Sequence, residues 1–504
     1  MDELVVQVRR LIDQAVERCR GSVVESQLLA VRQRLDEPLR VAIAGRVKAG
    51  KSTLLNALVG EQLAPTDAGE CTKIVTWYQH GPTYRATLEL VDGSTRQAPF
   101  SRESGAIDID LGDAAVADVE RIVVEWPSQR LVDLTLIDTP GVASINTELS
   151  QRALRFLAPD DESPMEADAV VYLMRHMHAD DLSFLESFHD DELANASPVN
   201  AIGLLSRADE VGVGRPNAMR VAERIATRYR SDPKLRKLCQ TVRPIGGLLA
   251  ETATTLTQDE FQAMEELAAL DRKVIEAMML SADRFAAESS DCDLPPLVRR
   301  HLLDRFGLYG VRVALPMIRQ GRADSAGALA EALEAKSGII GLREDLLERF
   351  ASRRDVLQAR SALLAVRRLL AIAPPDVARD LLPEVERIRS GAHAFAELQV
   401  LNDYRRGWLE FDESDGPELE RLLGGDGSEP TARLGLPPEA DRAEVRAELL
   451  RVIDKWRRKG EHPLSSREVS NAATVLVRTC EGTLAGFDER EKEHRGGGTS
   501  TEAN

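Results

Sequence analysis

The sequence predicts a doubly wound α/β domain with a mixed sheet, followed by an elongated α-helical bundle. Short apolar runs alternate with helical segments between residues 38 and 252, which is the pattern of alternating strands and helices. Strand-like runs nearly vanish after about residue 250, where apolar residues recur at helical spacing. A glycine-rich loop, GRVKAGKSTL at 45–54, lies between an apolar strand and an apolar helix.

The first 37 residues are predicted to be helical. Apolar side chains at spacings of three and four define one amphipathic face; they are Leu4, Val8, Leu11, Ala15 and Cys19. A second helical stretch over 24–35 leads to Pro38, where the strand pattern begins.

Seven apolar runs bounded by turn residues predict the strands of an α/β domain over 38–252. They are VAIAG (41–45), ATLELVDG (86–93), ERIVVEW (120–126), LVDLTLID (131–138), DAVVYLM (168–174), NAIGLLS (200–206) and TVRPIGG (241–247).

Residues 253–488 are predicted to form the helical bundle. One apolar stripe runs from Phe261 to Met278, and a second runs from Leu342 to Ala371. A Pro-Pro pair at 374–375 separates this second stripe from a third, which predicts a hairpin roughly 45 Å long with its tip near 371–383. Residues 489–504 are charged and rich in Gly, Ser and Thr, so a disordered tail is expected there.

Composition narrows the possible partners. The chain has 504 residues, and its net charge of −18 would repel phosphate backbones, so nucleic acid is not expected as a partner. The five cysteines form no CxxC pair or metal spacing, as expected of free thiols in a reducing cytoplasm. The N-terminus does not resemble a signal peptide and no apolar run is long enough to span a membrane, so a membrane contact would be peripheral.

The loop at 45–54 has the residues of a P-loop. Such a loop needs glycines where backbone amides close around phosphate oxygens, a lysine for the β and γ phosphates, and a hydroxyl that ligates Mg²⁺. These positions are filled by Gly45, Gly50, Lys51 and Ser52. We predict that residues 45–53, with Lys48, Ala49 and Thr53 among them, bind a nucleoside triphosphate, which this pattern alone does not identify as ATP or GTP.

Two downstream motifs favour GTP. Asp138, Thr139, Pro140 and Gly141 end a predicted strand, where Asp138 would hold Mg²⁺ through water and the Gly141 amide would bind the γ-phosphate. The segment 206–209 closes another strand. There Asp209 can accept hydrogen bonds from guanine, while Ser206 and Arg207 stand where GTPases usually carry Asn or Thr and Lys. The cation of Arg207 could lie over the base.

The hydroxyl that would complete the Mg²⁺ shell when γ-phosphate is present has two candidates, Thr66 and Thr72. Thr72 is preferred because it directly precedes a strand-like run. The turn Pro244 to Gly247 is a candidate for packing beside the base.

On these motifs the sequence resembles the dynamin superfamily, specifically the bacterial dynamin-like GTPases. The resemblance extends into the helical half at HLLDRFGLYGVRVAL and SGIIGLREDLLERFASRRDVLQA. It implies a GTPase head, a helical neck and trunk that include the N-terminal helices, and hydrolysis of GTP to GDP with Mg²⁺. It also implies peripheral binding to the inner face of the cell membrane, membrane remodelling, self-association through the heads, and a second dynamin-like protein as a partner.

Two positions depart from the family pattern. Dynamins commonly carry a polar pair, such as Gln-Ser, inside the P-loop, where the Ser helps hold a monovalent cation; this chain has Val47 and Lys48 there. A monovalent cation is therefore doubtful, and Lys48 is a hypothetical catalytic cation beside Lys51 and Thr72, because relatives place an arginine finger at its position.

The location of the membrane contact and the biological role stay open at this point. The hairpin tip near 371–383 and the segment GLYGVRVALPMI (307–318) are both candidates for the membrane contact. Two other functions share the nucleotide motifs: a nucleotide-gated scaffold with little turnover, and a GTPase of ribosome assembly or tRNA modification. The second would require a basic RNA-binding domain, which the acidic balance of the chain disfavours.

Overall fold

The computed structural model describes residues 3–64, 74–101, 107–140, 167–176, 182, 185, 200–289, 291–405, 407–409, 411–412, 414–425, 427 and 429–496. These residues divide into two compact units. The sheet unit contains the described residues from 38 to 344, and the helical unit contains 3–37 and 345–496.

A nine-stranded mixed sheet forms the centre of the sheet unit, in the order β11-β10-β9-β1-β8-β2-β7-β3-β4. Its strands are β1 (Leu39–Gly45), β2 (Val75–His80), β3 (Arg85–Leu90), β4 (Thr95–Gln97), β7 (Val119–Trp126), β8 (Leu134–Asp138), β9 (Ala169–Met174), β10 (Ala201–Ser206) and β11 (Val242–Ile245). The short strands β5 (Phe100–Ser101) and β6 (Asp108–Ile109) pair separately. All seven predicted apolar runs form strands, which confirms the α/β prediction.

Strand direction decides where a binding site can form. β1, β8, β9, β10 and β11 are mutually parallel, whereas β2 runs antiparallel to β8 and β3 runs antiparallel to β7. Because parallel strands end at the same edge of a sheet, the loops after β1, β8, β10 and β11 meet there. The loops at this edge are therefore the ones that can form a binding site together.

Helices cover the sheet and extend the sheet unit. They are α3 (Lys51–Val59), α4 (Ala218–Arg230), α5 (Pro233–Arg236), α6 (Gly247–Thr255), α7 (Gln258–Ala269), α8 (Arg272–Met278), α9 (Ala282–Ala286), α10 (Pro296–Arg319), α11 (Ala326–Ser337) and α12 (Ile339–Asp345). One apolar core joins α6 to α11. Residues 253–344, which the sequence pattern assigned to the bundle, group with the sheet because they share this apolar core with α6. The functional domain boundary at 252 stays a prediction.

The helical unit combines the two ends of the chain. Its helices are α1 (Glu3–Arg18), α2 (Glu25–Arg34), α13 (Arg354–Ala371), α14 (Pro375–Gly391), α15 (His393–Arg405), α16 (Asp415–Leu422), α17 (Pro430–Leu434), α18 (Arg442–Gly460) and α19 (Arg467–Gly496). The apolar face of α1 and α2 is buried against α13 and α14 in one core. A second core joins α15 to α19.

Two predicted helical stripes are interrupted. The stripe over 261–278 breaks between α7 and α8, where the Asp271 side chain accepts a 2.7 Å hydrogen bond from the Lys273 amide and starts a new helix. The stripe over 342–371 contains a π turn at Leu346–Phe350 and a 3₁₀ turn at Ala351–Arg353. The helices flanking the Pro-Pro turn have 18 and 17 residues, about 27 and 26 Å at a rise of about 1.5 Å per residue, so the predicted hairpin length of roughly 45 Å is wrong.

Long-range contacts account for the second interruption. Arg349 donates to the carbonyl oxygen of Gly425, and Arg353 donates to those of Leu423 and Gly424 at 2.6 and 2.8 Å. Both guanidinium groups are buried, so each needs these acceptors. The irregular turns place the two arginines against one loop that lies some seventy residues later in the chain.

Most apolar side chains of both predicted membrane-contact segments are buried or half-buried. In the hairpin, Leu369, Leu370 and Leu381 belong to the core of the helical unit, and Ile372 at the turn is 67% exposed. In the segment 307–318, most apolar side chains belong to the core of the sheet unit. Among the described residues, no helix is both long enough and apolar enough to cross a membrane.

The described cysteines, Cys19, Cys239, Cys292 and Cys480, are free thiols in buried positions. Burial raises the pKa of Cys480 to about 12, which disfavours its reactive thiolate. Cys71 lies outside the described residues.

Candidate functional site

The loop after β1 has a backbone that only certain residues can adopt. Gly45 has φ 151°, and a Cβ there would lie 2.6 Å from the carbonyl oxygen of Leu173 on the neighbouring strand β9. Gly50 has φ 95° and precedes the first residue of α3. Lys48 has φ 63°, which is unusual for a residue with a side chain. The two glycines of the motif are therefore required by close approach and by the left-handed turn into the helix.

Lys51 is folded over this loop. Its Nζ donates to the carbonyl oxygens of Gly45 and Arg46 at 3.3 and 3.4 Å. Burial lowers the pKa of Lys51, and the nearby Asp138 carboxylate partly opposes that effect. A buried lysine amine held by weak carbonyl contacts is available for an anionic group entering the loop.

Asp138 and Ser52 meet at the end of β8. Asp138 is paired in register with Ile43 on β1, which brings the two strand ends together. The Ser52 hydroxyl donates to Oδ2 of Asp138 at 3.2 Å, and Thr139 anchors the strand end by donating to the Ile43 carbonyl at 2.9 Å. Burial raises the pKa of Asp138 to about 6, although Lys51 and Ser52 act in the opposite direction.

These side chains fit a Mg²⁺ site. Oδ1 of Asp138 is buried and has no hydrogen-bond partner among the described residues. Carboxylate and hydroxyl oxygens are the protein ligands that Mg²⁺ uses, directly or through water, beside the phosphates of a nucleotide. The Asp138 oxygen without a partner lies next to the Ser52 hydroxyl at the first turn of α3, which is an arrangement that suits Mg²⁺.

The second half of the site follows β10. Asp209 is 5% exposed, and burial raises the pKa of its carboxyl to about 6. Its Oδ1 lies 3.4 Å from the position of a Cβ on Gly246, at the turn after β11. Arg207 has φ 52° and pairs with Glu210 at 2.9 Å. The Asp209 carboxylate is buried beside the backbone of a glycine, which has no side chain. It can therefore accept hydrogen bonds from the N–H groups of a planar ring.

One cleft joins both halves. It has a volume of about 150 Å³, and the P-loop, the loop after β10 and the turn after β11 contribute to its walls. The lining residues are Ala49, Gly50, Thr53, Leu54, Leu173, Ser206, Arg207, Asp209, Glu210, Ile245, Gly247 and Leu248. The motifs that the sequence separates by about 150 residues therefore face one space, with the predicted turn at 244–247 on its wall.

The loop after Asp209 is braced by α10, which no sequence motif indicated. Gly212, Val213 and Gly214 all have φ between 63° and 65°. Arg312 on α10 donates to the carbonyl oxygens of Val213 and Gly214 at 2.6 and 2.8 Å. Both hydrogen bonds come from one nitrogen of Arg312. They offset the strain of Val213, which has a Cβ in the left-handed region, and fix the loop that follows Asp209.

A buried polar pair ties α3 to α6 and was also missed by sequence reasoning. Asn56 is 1% exposed; its amide donates to Glu251 at 2.8 Å and accepts from the backbone amides of Leu63 and Ala64 at 2.9 and 2.7 Å. Burial raises the pKa of Glu251. Asn56 thus fixes the start of the segment that leads to the candidate threonines Thr66 and Thr72. The one signal in the sequence is its position within the apolar run LLNALV of α3.

Three predicted site residues are not placed. Thr66, Thr72 and Gly141 lie outside the described residues. The remaining predicted residues gather at one edge of the sheet: the P-loop residues, Asp138, Ser206, Arg207 and Asp209.

Comparisons with known proteins agree with this geometry. Residues 41–191 match the model of the Dynamin family. The chain is 38% identical over 473 residues to the isoniazid-induced protein IniC of Mycobacterium tuberculosis, covering 94% of this chain and 95% of that protein.

Shorter matches occur to other relatives. A bacterial dynamin-like protein of Nostoc punctiforme is 33% identical over 130 residues, covering 24% of this chain and 19% of that protein. The isoniazid-induced protein IniA of Mycobacterium tuberculosis is 34% identical over 158 residues, covering 30% of this chain and 23% of that protein. A solved oligomerised bacterial dynamin pair aligns with 96% of this chain and 75% of its own, at 12% identity and a TM-score of 0.30, which is too low to support an argument.

Proposed function

Because this chain belongs to the bacterial dynamin-like GTPases, we propose that it binds GTP in the cleft between the P-loop and Asp209 and hydrolyses it to GDP and phosphate with Mg²⁺. The observation that carries the proposal is the shared cleft. Only a ligand that has both phosphates and a base can bind the phosphate-binding loop and the buried carboxylate at the same time.

Each residue has a distinct proposed role. The amides of Gly45 to Thr53 wrap the phosphates, and Lys51 neutralises their charge. Asp209 accepts hydrogen bonds from the ring N–H and exocyclic amine of guanine, groups whose counterparts adenine lacks. Arg207 and Ser206 complete the wall around the base.

In the reaction, a water oxygen forms a bond to the γ-phosphorus while the bond from that phosphorus to the β,γ-bridging oxygen breaks. The electron pair stays on the GDP oxygen, and the proton of the water ends on phosphate. Ser52 and Asp138 would hold Mg²⁺, with Thr72 as the proposed third oxygen ligand, and the ion when bound neutralises charge on the β and γ oxygens. We assign the amide of Gly141 to the γ-phosphate, and Lys48 to the charge that develops on the bridging oxygen.

Calorimetric titration tests the nucleotide assignment. We expect the full chain to bind GTP and GDP at least tenfold more tightly than ATP and ADP, with one nucleotide per chain. Equal affinity for adenine and guanine nucleotides would contradict the role of Asp209.

We also propose that nucleotide turnover is coupled to peripheral contact with a lipid surface, to self-association through the GTPase heads, and to pairing with a second dynamin-like protein. Membership in the dynamin family supports this proposal. Most apolar side chains of the candidate membrane segments are at least half-buried, whereas Ile372 at the hairpin turn is exposed. This favours an anchor made of few apolar side chains rather than a broad apolar face.

Co-sedimentation with anionic liposomes, combined with measurement of GTP turnover with and without lipid, tests the coupling. Lipid-stimulated turnover supports membrane remodelling. Indifference to lipid, with tight binding to a second dynamin-like protein and slow turnover, would instead support a nucleotide-gated scaffold.

A further inference from the structure

The helical unit contains a cavity where its two apolar cores meet. The cavity has a volume of about 190 Å³ and lies among α13, α14 and α15. Leu363 and Val385 on its wall belong to the core of α1, α2, α13 and α14, while Leu398 belongs to the core of α15 to α19. Phe395 packs against both cores. The two apolar cores leave a gap between α13, α14 and α15, and the cavity is this gap.

One polar side chain on this wall is buried without a partner. Asn402 on α15 is 0% exposed, and neither its amide nitrogen nor its amide oxygen has a hydrogen-bond partner among the described residues. A buried amide that forms no hydrogen bond is costly, because it has given up water without a replacement. Asn402 can both donate to and accept from a bound molecule inside the cavity.

Three arginines also line the cavity: Arg360 and Arg367 on α13, and Arg389 on α14. Arg389 pairs with Glu386 at 2.7 Å. Arg367 has no ion-pair partner among the residues that the structure places. The cavity therefore has an apolar wall of leucine, valine and phenylalanine side chains, a buried amide and a positively charged rim. The rim is positive although the net charge of the chain is −18.

We propose that this cavity binds a phosphate ester with one short acyl chain, of the monoacylglycerol phosphate type. A cavity of about 190 Å³ is smaller than the roughly 300 Å³ of the smallest pockets for drug-sized ligands, so the chain has on the order of six carbons. The acyl chain packs against Leu363, Leu364, Val385, Phe395 and Leu398. The hydroxyl of the glycerol donates to the Asn402 oxygen and accepts from its nitrogen, while the arginines bind the phosphate. The cavity lies outside the nucleotide cleft, and its ligand is a single molecule held among helices, distinct from a membrane surface.

Calorimetry on the full chain, with hexanoyl glycerol phosphate below its micelle concentration, tests the proposal. We expect saturable binding of one molecule per chain. Monohexanoylglycerol, which has the chain without the charge, should bind about tenfold more weakly, and glycerol phosphate, which has the charge without the chain, should show no binding. Binding only to liposomes of anionic lipid, with none of the monomeric lipid, would overturn the proposal in favour of surface adsorption.

Substitutions locate the site. Leu364→Trp fills the cavity and should abolish binding, and Arg367→Ala should weaken it about tenfold. Arg368→Ala is the matched control, since it removes the same charge from the next position on α13, outside the cavity wall, and should bind like the unmodified chain. Equal effects of the two arginine substitutions would overturn the site.

Asn402→Leu distinguishes a binding role from a structural one without depending on a disruptive change. Because leucine has a similar size and carries no unpaired amide, this variant should melt at a higher temperature in the absence of lipid and bind the lipid at least about fivefold more weakly. A lower melting temperature with unchanged lipid binding would show that Asn402 is a satisfied structural residue, and the proposal would fail.

Discussion

The Ser52 hydroxyl donates a 3.2 Å hydrogen bond to Oδ2 of Asp138, while Oδ1 of the same carboxylate has no partner among the described residues. The two side chains come from positions 86 residues apart, on the first turn of α3 and at the end of β8. This pair is the basis for the first prediction.

Ser52→Ala should remove the benefit that GTP binding gains from Mg²⁺. The serine hydroxyl is a proposed metal ligand and contributes nothing to phosphate binding when Mg²⁺ is absent. We expect GTP affinity in Mg²⁺ to fall about tenfold or more, with little change in EDTA. Fluorescent GTP titrations in both buffers measure the difference; a loss that is equal with and without Mg²⁺ would assign Ser52 to folding of the loop.

Asp209→Asn should change which base the protein prefers. The amide can donate to the C2 carbonyl of xanthine but cannot accept from both donors of guanine. We expect affinity for GTP to fall at least tenfold and affinity for XTP to rise. Competition titrations with GTP, XTP and ATP measure this, and retained preference for GTP would place guanine recognition elsewhere.

Binding of guanine nucleotides should weaken as pH falls through 6. Burial raises the pKa of Asp209 to about 6 in the free protein, and only the ionised form accepts both hydrogen bonds. The ionised fraction then falls about tenfold between pH 7 and pH 5, so GDP affinity should fall by a similar factor. Calorimetry across this range should show a smaller fall for Asp209→Asn, whose pH dependence comes from the phosphates and the other groups shared by both proteins. Parallel curves would contradict the assignment.

Asn56→Leu should destabilise the sheet unit by roughly 3 kcal/mol or more, because it leaves the amides of Leu63 and Ala64 and the carboxyl of Glu251 buried without partners. Urea unfolding at 25 °C measures the free energy. Glu251→Gln is the matched control: it keeps the acceptor for Asn56 and removes a buried carboxyl of raised pKa, so stability at pH 7.5 should be unchanged or higher. A large loss in Glu251→Gln would show that the charge itself stabilises the pair.

Lys48→Ala should reduce GTP turnover about tenfold while leaving GTP affinity nearly unchanged. The lysine is proposed to act on charge that develops only during bond breaking, and a flexible lysine should give less than an arginine finger. Turnover in KCl and in NaCl measures both the rate and any need for a monovalent cation, and Lys48→Arg should keep most of the activity. Unchanged turnover with unchanged potassium dependence in Lys48→Ala would remove Lys48 from the mechanism.

The strands and the phosphate loop could be predicted from the sequence because their causes are local. The alternation of apolar runs and turns defines seven strands, and the left-handed turn at Gly50 opens the next helix. Gly45 is recognised from the loop pattern, although its close approach to Leu173 on β9 is a tertiary contact. Parallel strand ends meet at one edge by geometry alone, so the gathering of Lys51, Asp138 and Asp209 followed from their positions after strands.

The sequence by itself determined the α/β domain, its P-loop and the helical character of the remainder. Only the tertiary structure decided that residues 253–344 join the sheet unit and that the helix before α13 is broken at Leu346–Arg353. It also decided that Asn56 and Asn402 are buried, and that Arg312 contacts the loop after Asp209. The physical reason is that burial of a polar group depends on partners far away in the chain. Periodicity reports which face of a helix is apolar, but it carries no information about which other element will cover that face.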